Sequence, residues 1–151
     1  MFEKDRSSLE PGTIVAQTAT GGRPRVLLAD DHPSLLDRVM SLLKPDFDLV
    51  GIVNDGRALV GEAVRLQPDL IVLDITMPIL NGIEAAHEIH VTEPDIKLVF
   101  LSVHEEPEYV RACFAEGGLA YVKKSRLGMD LIPAIRDALL GRSFISPSLA
   151  H

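Results

Sequence analysis

Leu70-Ile71-Val72-Leu73-Asp74-Ile75-Thr76-Met77-Pro78-Ile79-Leu80-Asn81-Gly82 is the stretch that decides the fold. Its first four residues are apolar without alternation and include β-branched Ile71 and Val72. A run that short cannot sustain a helix, and unbroken apolarity fits a strand buried on both faces, as in a parallel sheet. The run closes on an acid, Asp74. Asn81 followed by Glu84 then forms the pattern of a capping box, with Ile83, Ala86 and Ile89 at helical spacing behind it.

The same alternation extends in both directions. Val26–Ala29, Leu49–Val53, Leu98–Leu101 and Ala120–Val122 read as further buried strands. Between them Leu35, Val39 and Leu43, then Leu59, Ala63 and Val64, then Val110, Cys113 and Phe114, and finally Leu131, Ile135 and Ala138 mark helical stripes. Pro33 and Pro107 stand at helix starts, where the missing N–H costs nothing. Gly117, Gly118 and Gly141 stand at helix ends. Pro133 is expected within the first turn of the last helix, where no internal bond is lost. Five strands alternating with five helices imply an α/β fold, a five-stranded parallel sheet covered on both faces. Right-handed crossovers make the doubly wound order 2-1-3-4-5 the leading topology.

In such a sheet, ligands bind beyond the carboxyl ends of the strands, where the strand order reverses. Strand one ends in Asp30-Asp31, strand three in Asp74, strand four in Ser102 and strand five in Lys123-Lys124. The predicted order makes these ends neighbours. Any one of them is unremarkable: a strand closing on Asp is often a turn or cap, and a terminal Ser or Lys is commonly just solvated. Their joint placement is what asks for a chemical reason. Two carboxylates about 4 Å apart repel by about 4 kcal/mol at an effective dielectric near 20. A proton, a lysine or a cation must relieve that repulsion. All-oxygen ligation with room for water suits Mg²⁺. One carboxylate can then attack a phosphoryl donor while the ion and the lysine neutralise charge on the transferred group.

Composition narrows the alternatives. A net charge of −7 argues against a non-specific nucleic-acid binder, which carries a basic stripe. The single cysteine, Cys113, cannot form an internal disulfide, and its expected place is an apolar helix face. No apolar run approaches the roughly 20 residues of a membrane span, and Phe2–Gly22 lacks the apolar core of a signal peptide. A cytoplasmic protein that does not engage a membrane is the expectation.

Asp30-Asp31, Asp74 within Leu-Asp-Ile-Thr-Met-Pro-Ile-Leu-Asn-Gly, Ser102 and Lys124 together resemble the response-regulator receiver domain of two-component phosphorelay signalling, over about residues 25–141. Ala-Asp-Asp-His-Pro-Ser and Ala-Tyr-Val-Lys-Lys-Ser are most similar to the NarL/FixJ-like subfamily, whose receivers usually precede a helix-turn-helix. The resemblance implies the flavodoxin-like fold and a phosphoprotein switch rather than an enzyme. It implies Asp74 as phosphoacceptor from a sensor histidine kinase. It implies Mg²⁺ held by Asp31, Asp74 and the Thr76 backbone carbonyl, with Asp30 acting through water. Ser102 and Lys124 would bind the phosphoryl group, and Tyr121 would couple the pocket to a surface near helix 4, strand 5 and helix 5. An unknown downstream protein and a phosphorylation-linked homodimer are the outputs implied.

Of the two lysines, strand alternation and the three-residue spacing from Tyr121 favour Lys124, leaving Lys123 on an edge strand where it would deter strand pairing. The pattern departs from the family in three places. Ser125 follows the lysine in place of proline, Ser102 replaces threonine, and Val103 replaces alanine, narrowing access for small phosphodonors. Thr76 and His104 stand where a hydrolytic water could be steered. Residues 1–24 read as a mobile N-terminal arm, with Thr13–Ala16 its one candidate for local order. Residues 142–151 read as a C-terminal tail or truncated linker, too short for a helix-turn-helix, so that this chain alone should not read DNA. The alternative is the receiver half of a DNA-binding transcriptional regulator whose effector domain is absent from this chain. Other classes fit less well. An aspartate-nucleophile phosphatase would want Asp-x-Asp-x-Thr where Asp30-Asp31-His32-Pro33 stands. A flavin carrier would want a phosphate-cradling loop there instead of two acids. The intact acidic set argues against a degenerate receiver.

Overall fold

The computed structural model describes residues 22–147. Six strands run in chain order: β1 (Arg25–Ala29), β2 (Asp48–Val53), β3 (Leu70–Asp74), β4 (Lys97–Ser102), β5 (Gly118–Lys123) and β6 (Phe144–Ile145). They lie side by side as β2-β1-β3-β4-β5-β6, and every neighbouring pair is parallel. Five helices connect them: α1 (Pro33–Leu43), α2 (Gly56–Leu66), α3 (Gly82–Thr92), α4 (Pro107–Ala115) and α5 (Leu127–Leu139). A 3₁₀ turn, Lys124–Arg126, precedes α5.

The pleat sends alternate residues of each strand to opposite faces, and each face has its own apolar core. Val26, Leu28, Leu70, Val72 and Val122 pack under α1 and α5 with Leu35, Val39, Leu131 and Ile135. Leu27, Ile71, Leu73, Phe100 and Tyr121 pack under α2, α3 and α4 with Leu59, Ala86, Ile89 and Cys113. The central strand β3 is buried along its whole length, which is why its sequence does not alternate.

Local chemistry fixes the element ends. Asn81 accepts the backbone N–H of Glu84 while the Glu84 carboxylate accepts the N–H of Asn81, so the capping box is complete. Asp55 accepts the N–H of Ala58 at the start of α2. Gly82 packs so tightly against the backbone of Asp74 that any side chain there would overlap its carbonyl. That close approach folds the β3–α3 connection back over the end of β3, where the N–H of Gly82 bonds the carbonyl of Ile75 at 2.7 Å. Within this connection the N–H of Leu80 bonds Pro78 O at 2.8 Å around Ile79, whose φ is 72°. It is a γ-turn of the strained hand, carried by a β-branched residue.

The five predicted strands and their order are present, and a sixth strand is added. Residues 144–145, read from sequence as tail or linker, pair with β5 in the register Ala120↔Phe144 and Tyr121↔Ile145. Lys123 is therefore not on a free edge. Its N–H donates to Ser146 Oγ at 3.0 Å, and its ammonium pairs with Glu105. Ser146, fully buried, also donates its N–H to Tyr121 O and its hydroxyl to Asp130. The Asp130 carboxylate takes two further bonds from Arg126, at 2.7 and 3.1 Å. Burial pushes the Asp130 carboxyl up, but the bonds from Arg126 and Ser146 and the guanidinium charge outweigh it and hold the group below the usual carboxylate range.

Pro133 is the other correction: it lies inside α5, not in its first turn. Its missing N–H would have reached the carbonyl of Met129, and both residues are solvent-exposed, so water can take the lost bond. At the N-terminal margin, Arg23 bonds the carbonyls of Lys44 and Phe47, and Pro24 O accepts from Asp48, so these two residues belong to the sheet's border rather than to an arm. Thr13–Ala16 and the rest of residues 1–21, like 148–151, lie outside the described residues.

Ser146→Ala removes one hydroxyl that serves both Lys123 and Asp130, leaving a part-buried N–H and a buried carboxylate oxygen each one partner short. A loss of about 1–3 kcal/mol in urea-unfolding free energy is expected, with unchanged secondary structure by circular dichroism. A loss below a few tenths of a kcal/mol would show that the C-terminal strand is not fastened in this way.

Candidate functional site

The carboxyl ends of β1 and β3 and the turn after β5 bring Asp30, Asp31, Asp74 and Lys124 together. Asp30 and Asp74 are almost completely buried, and Lys124 Nζ lies 3.0 Å from Asp30 Oδ2 and 3.0 Å from Asp74 Oδ2. One ammonium thus bridges two buried acids that would otherwise repel. Asp31 is the outer member, its side chain 37% exposed. Of the two competing lysines, the structure brings Lys124 to the acids and carries Lys123 away to Glu105.

His32, which the sequence reading left out of the site, enters it. Its Nδ1 lies 2.7 Å from Asp30 Oδ1, 3.2 Å from Asp31 Oδ1 and 3.8 Å from Asp74 Oδ2. A signal was present: His32 stands between two acids and Pro33, at the N-cap of α1. It makes no side-chain cap bond there, so its ring is free to turn inward. Its backbone N–H also donates to Asp30 Oδ1 at 2.9 Å.

The ligand atoms of Asp30, Asp31, His32 and Asp74 all lie within 4.8 Å of one another. Lys124 cannot satisfy the group alone: Asp30 Oδ2 is buried with no aligned hydrogen-bond donor, although the ammonium is near. Burial pushes the Asp74 carboxyl up. Its bond to Lys124 and the lysine's charge oppose that rise, the charge of Asp30 adds to it, and the long 3.3 Å bond from Thr76 N–H subtracts a little. The net rise means that one lysine does not fully compensate the pocket. Several hard oxygen donors, one orphaned, form a donor set that a divalent cation fits.

A second group of residues converges on the backbone of His104. Ser102 is fully buried, and its Oγ accepts the N–H of His104 at 3.0 Å. The Tyr121 hydroxyl donates to His104 O at 2.8 Å. The phenol is pushed up to about 12, by burial above all, and stays protonated. The His104 ring stacks on Tyr109 at 4.0 Å, and its Nε2 lies 3.1 Å from Thr76 Oγ1. Thr76 and His104 are thus joined at the mouth of the pocket. Val103 instead points outward, 68% exposed.

Residues 26–136 match the family described as Response regulator receiver domain. Transcriptional regulatory protein DegU of Brevibacillus brevis is 31% identical over 129 residues, which are 84% of this chain and 55% of that protein. Nitrate/nitrite response regulator protein NarL of Escherichia coli K12 is 33% identical over 126 residues, 82% of this chain and 58% of that protein. Among solved structures, a LuxR-family two-component response regulator from Aurantimonas superposes with a TM-score of 0.81 at 28% identity, covering 85% of this chain and 94% of the other. The signal receiver domain of the putative response regulator NarL from Mycobacterium tuberculosis gives 0.72 at 28% identity, covering 80% and 98%. The chain spans little more than half the length of the curated relatives named here.

The raised Asp74 carboxyl has a consequence for stability. An acid whose pKa rises on folding penalises the folded state once ionised. The penalty is absent below the unfolded value near 3.8 and complete above the folded value. Asp74→Asn is therefore expected to raise the urea midpoint of metal-free protein at pH 7, and to flatten the fall in stability as pH climbs through that window. Midpoints measured in chelator across a pH series check this, and a lower midpoint for the variant at pH 7 would contradict it.

Proposed function

The chain belongs to the response regulator receiver domain family, and from that premise we propose that it accepts a phosphoryl group on Asp74 from the phosphohistidine of a sensor histidine kinase, in a Mg²⁺-dependent transfer. The observation that carries this reading is the bridging of buried Asp30 and Asp74 by Lys124, with Asp31 alongside. Asp74 Oδ2 is engaged with Lys124, while Oδ1 holds only the long bond from Thr76 and is the freer nucleophile. Its attack forms the P–O bond as the P–N bond to the kinase histidine breaks. Lys124 then neutralises one phosphoryl oxygen.

Asp31 and Asp74, with the Thr76 carbonyl and with Asp30 behind them, would hold the ion. When bound, it supplies positive charge to the pocket and to the phosphoryl oxygens. A switch accompanies the transfer. Ser102 has its hydroxyl hydrogen to donate to the phosphoryl group, and a swing of the side chain toward that group would draw its oxygen away from the N–H of His104. The carbonyl of that same residue accepts the hydroxyl of Tyr121, so the event would reach the face formed by α4, β5 and α5 through the backbone of one residue. A downstream protein or a second copy of the chain would read that face. The Thr76–His104 pair at the mouth would modulate the entry of a hydrolytic water.

The names and lengths of the relatives support a second reading of the output: this chain as the receiver part of a transcriptional regulator whose effector part is not among these 151 residues. Among the described residues, no helix is long and apolar enough to cross a membrane.

Wild-type protein incubated with Mg²⁺ and acetyl phosphate should gain the mass of one phosphoryl group, whereas Asp74→Asn should gain none and chelator should abolish the gain. Undiminished labelling of Asp74→Asn would overturn the assignment. Val103→Ala should label several-fold faster from acetyl phosphate if the valine narrows access, while equal rates would remove Val103 from the account.

A further inference from the structure

We propose that Lys123 is a positioning residue for the switch: its ion pair with Glu105 latches the loop between β4 and α4 in the resting form and so sets how readily the pocket takes up a phosphoryl group. This rests on the reading of Asp74 as phosphoacceptor above. Lys123 is the lysine that the acidic pocket does not use. Its ammonium lies 3.0 Å from Glu105 Oε2. Its side chain is 15% exposed, so most of the stem is covered, whereas that of Glu105 is 60% exposed and has room to leave.

The loop, residues 103–106, is gripped at three points. Ser102 Oγ accepts the N–H of His104, the Tyr121 hydroxyl donates to His104 O, and Lys123 holds the Glu105 carboxylate. Tyr121 and Lys123 stand two apart on β5 and therefore reach toward the same side of the sheet. Both are fastened from behind by one residue. Ser146 donates its N–H to Tyr121 O, accepts the N–H of Lys123 on its hydroxyl oxygen, and donates that hydroxyl to buried Asp130. Strand β5 is thus the anchored side of the contact, and the loop is the side that can move.

In the proposed reading, a phosphoryl group on Asp74 acts on one of these grips, the one at Ser102. A loop that follows Ser102 carries Glu105 off an ammonium whose main chain is tied to Ser146, so the ion pair belongs to the resting form and opposes the switched one. Local charge adds to the effect. The Glu106 carboxylate accepts the N–H of Glu105 at 3.2 Å, which crowds two acids at one end of the loop, and Lys123 offsets them. Because one partner stands largely in water, the pair shifts the balance between the two forms by a few-fold rather than by orders of magnitude. The alternative is a surface ion pair with no part in the switch.

The test uses the full chain and titrates it with beryllofluoride, a phosphoryl mimic, in the presence of Mg²⁺, followed by fluorine NMR. Glu105→Gln, which leaves β5 and Lys124 untouched, should bind the mimic about two- to fivefold more tightly than wild type, because a resting form without its latch competes less well. Lys123→Met should gain by a similar factor, and Lys123→Arg, which keeps the charge, should match wild type. The double variant Lys123→Met/Glu105→Gln should gain no more than either single one. Cutting a contact that merely supported the fold would weaken binding, so the sign of the change separates the two roles. Circular dichroism verifies folding, and if Lys123→Met is misfolded, Glu105→Gln alone decides. Unchanged or weaker binding by Glu105→Gln, or gains that add fully in a folded double variant, would overturn the latch while leaving the phosphoacceptor reading in place. If wild type itself takes up no beryllofluoride, that reading fails instead.

Discussion

Two acids buried at the ends of adjacent strands share one ammonium group, and much of the molecule is arranged to make that tolerable. Lys124 reaches both because β5 ends in a tight 3₁₀ turn, which brings its side chain over the ends of β1 and β3. The compensation is incomplete: burial wins over the lysine at Asp74, and Asp30 keeps an oxygen without an aligned donor. A pocket one positive charge short is unstable as a permanent arrangement and well suited to a transient one. Bringing in a cation, and then a phosphoryl group held by that cation and the lysine, changes the local balance by more than any surface ion pair could. In the proposed reading, the electrostatic deficit and the capacity to switch are the same property.

The route outward runs through one residue. His104 offers its N–H to Ser102, its carbonyl to Tyr121, one face of its ring to Tyr109 and its Nε2 to Thr76. A change at the pocket that drew the Ser102 side chain away would free the N–H of His104 while Tyr121 still held its carbonyl. Tyr121 is itself hydrogen-bonded at its carbonyl by Ser146, which reaches on to Asp130 and Arg126. Pocket, Tyr121 and C-terminal strand therefore form one connected set of hydrogen bonds.

The main sheet was legible because burial on both faces forbids alternation, so Leu70–Leu73 and Leu98–Leu101 announce themselves as apolar blocks. The acids and Lys124 were legible because strand ends next to the reversal of strand order are where polar groups gather. What escaped had no pattern of its own. Phe144-Ile145 is a pair too short to show any period, and its pairing is fixed by Ser146, whose partners Lys123 and Asp130 are distant in sequence. Pro133 was assigned to a first turn because α5 was expected to begin near Leu131. The helix instead begins at Leu127, where Leu127 and Leu131 bury the same face. His32 looked like a motif residue beside two acids, and only the direction of its ring makes it part of the pocket.

Cys113 carries a practical consequence. It is the only cysteine in the chain, it is fully buried in α4, and burial pushes its thiol up to about 12. The thiolate is the reactive form, and burial disfavours it here. Maleimides and nitroxide reagents should therefore pass it by. A cysteine introduced on an exposed position of α4 could be tagged without first deleting the native one, leaving the core intact while a fluorophore or spin probe reports on the face proposed to switch.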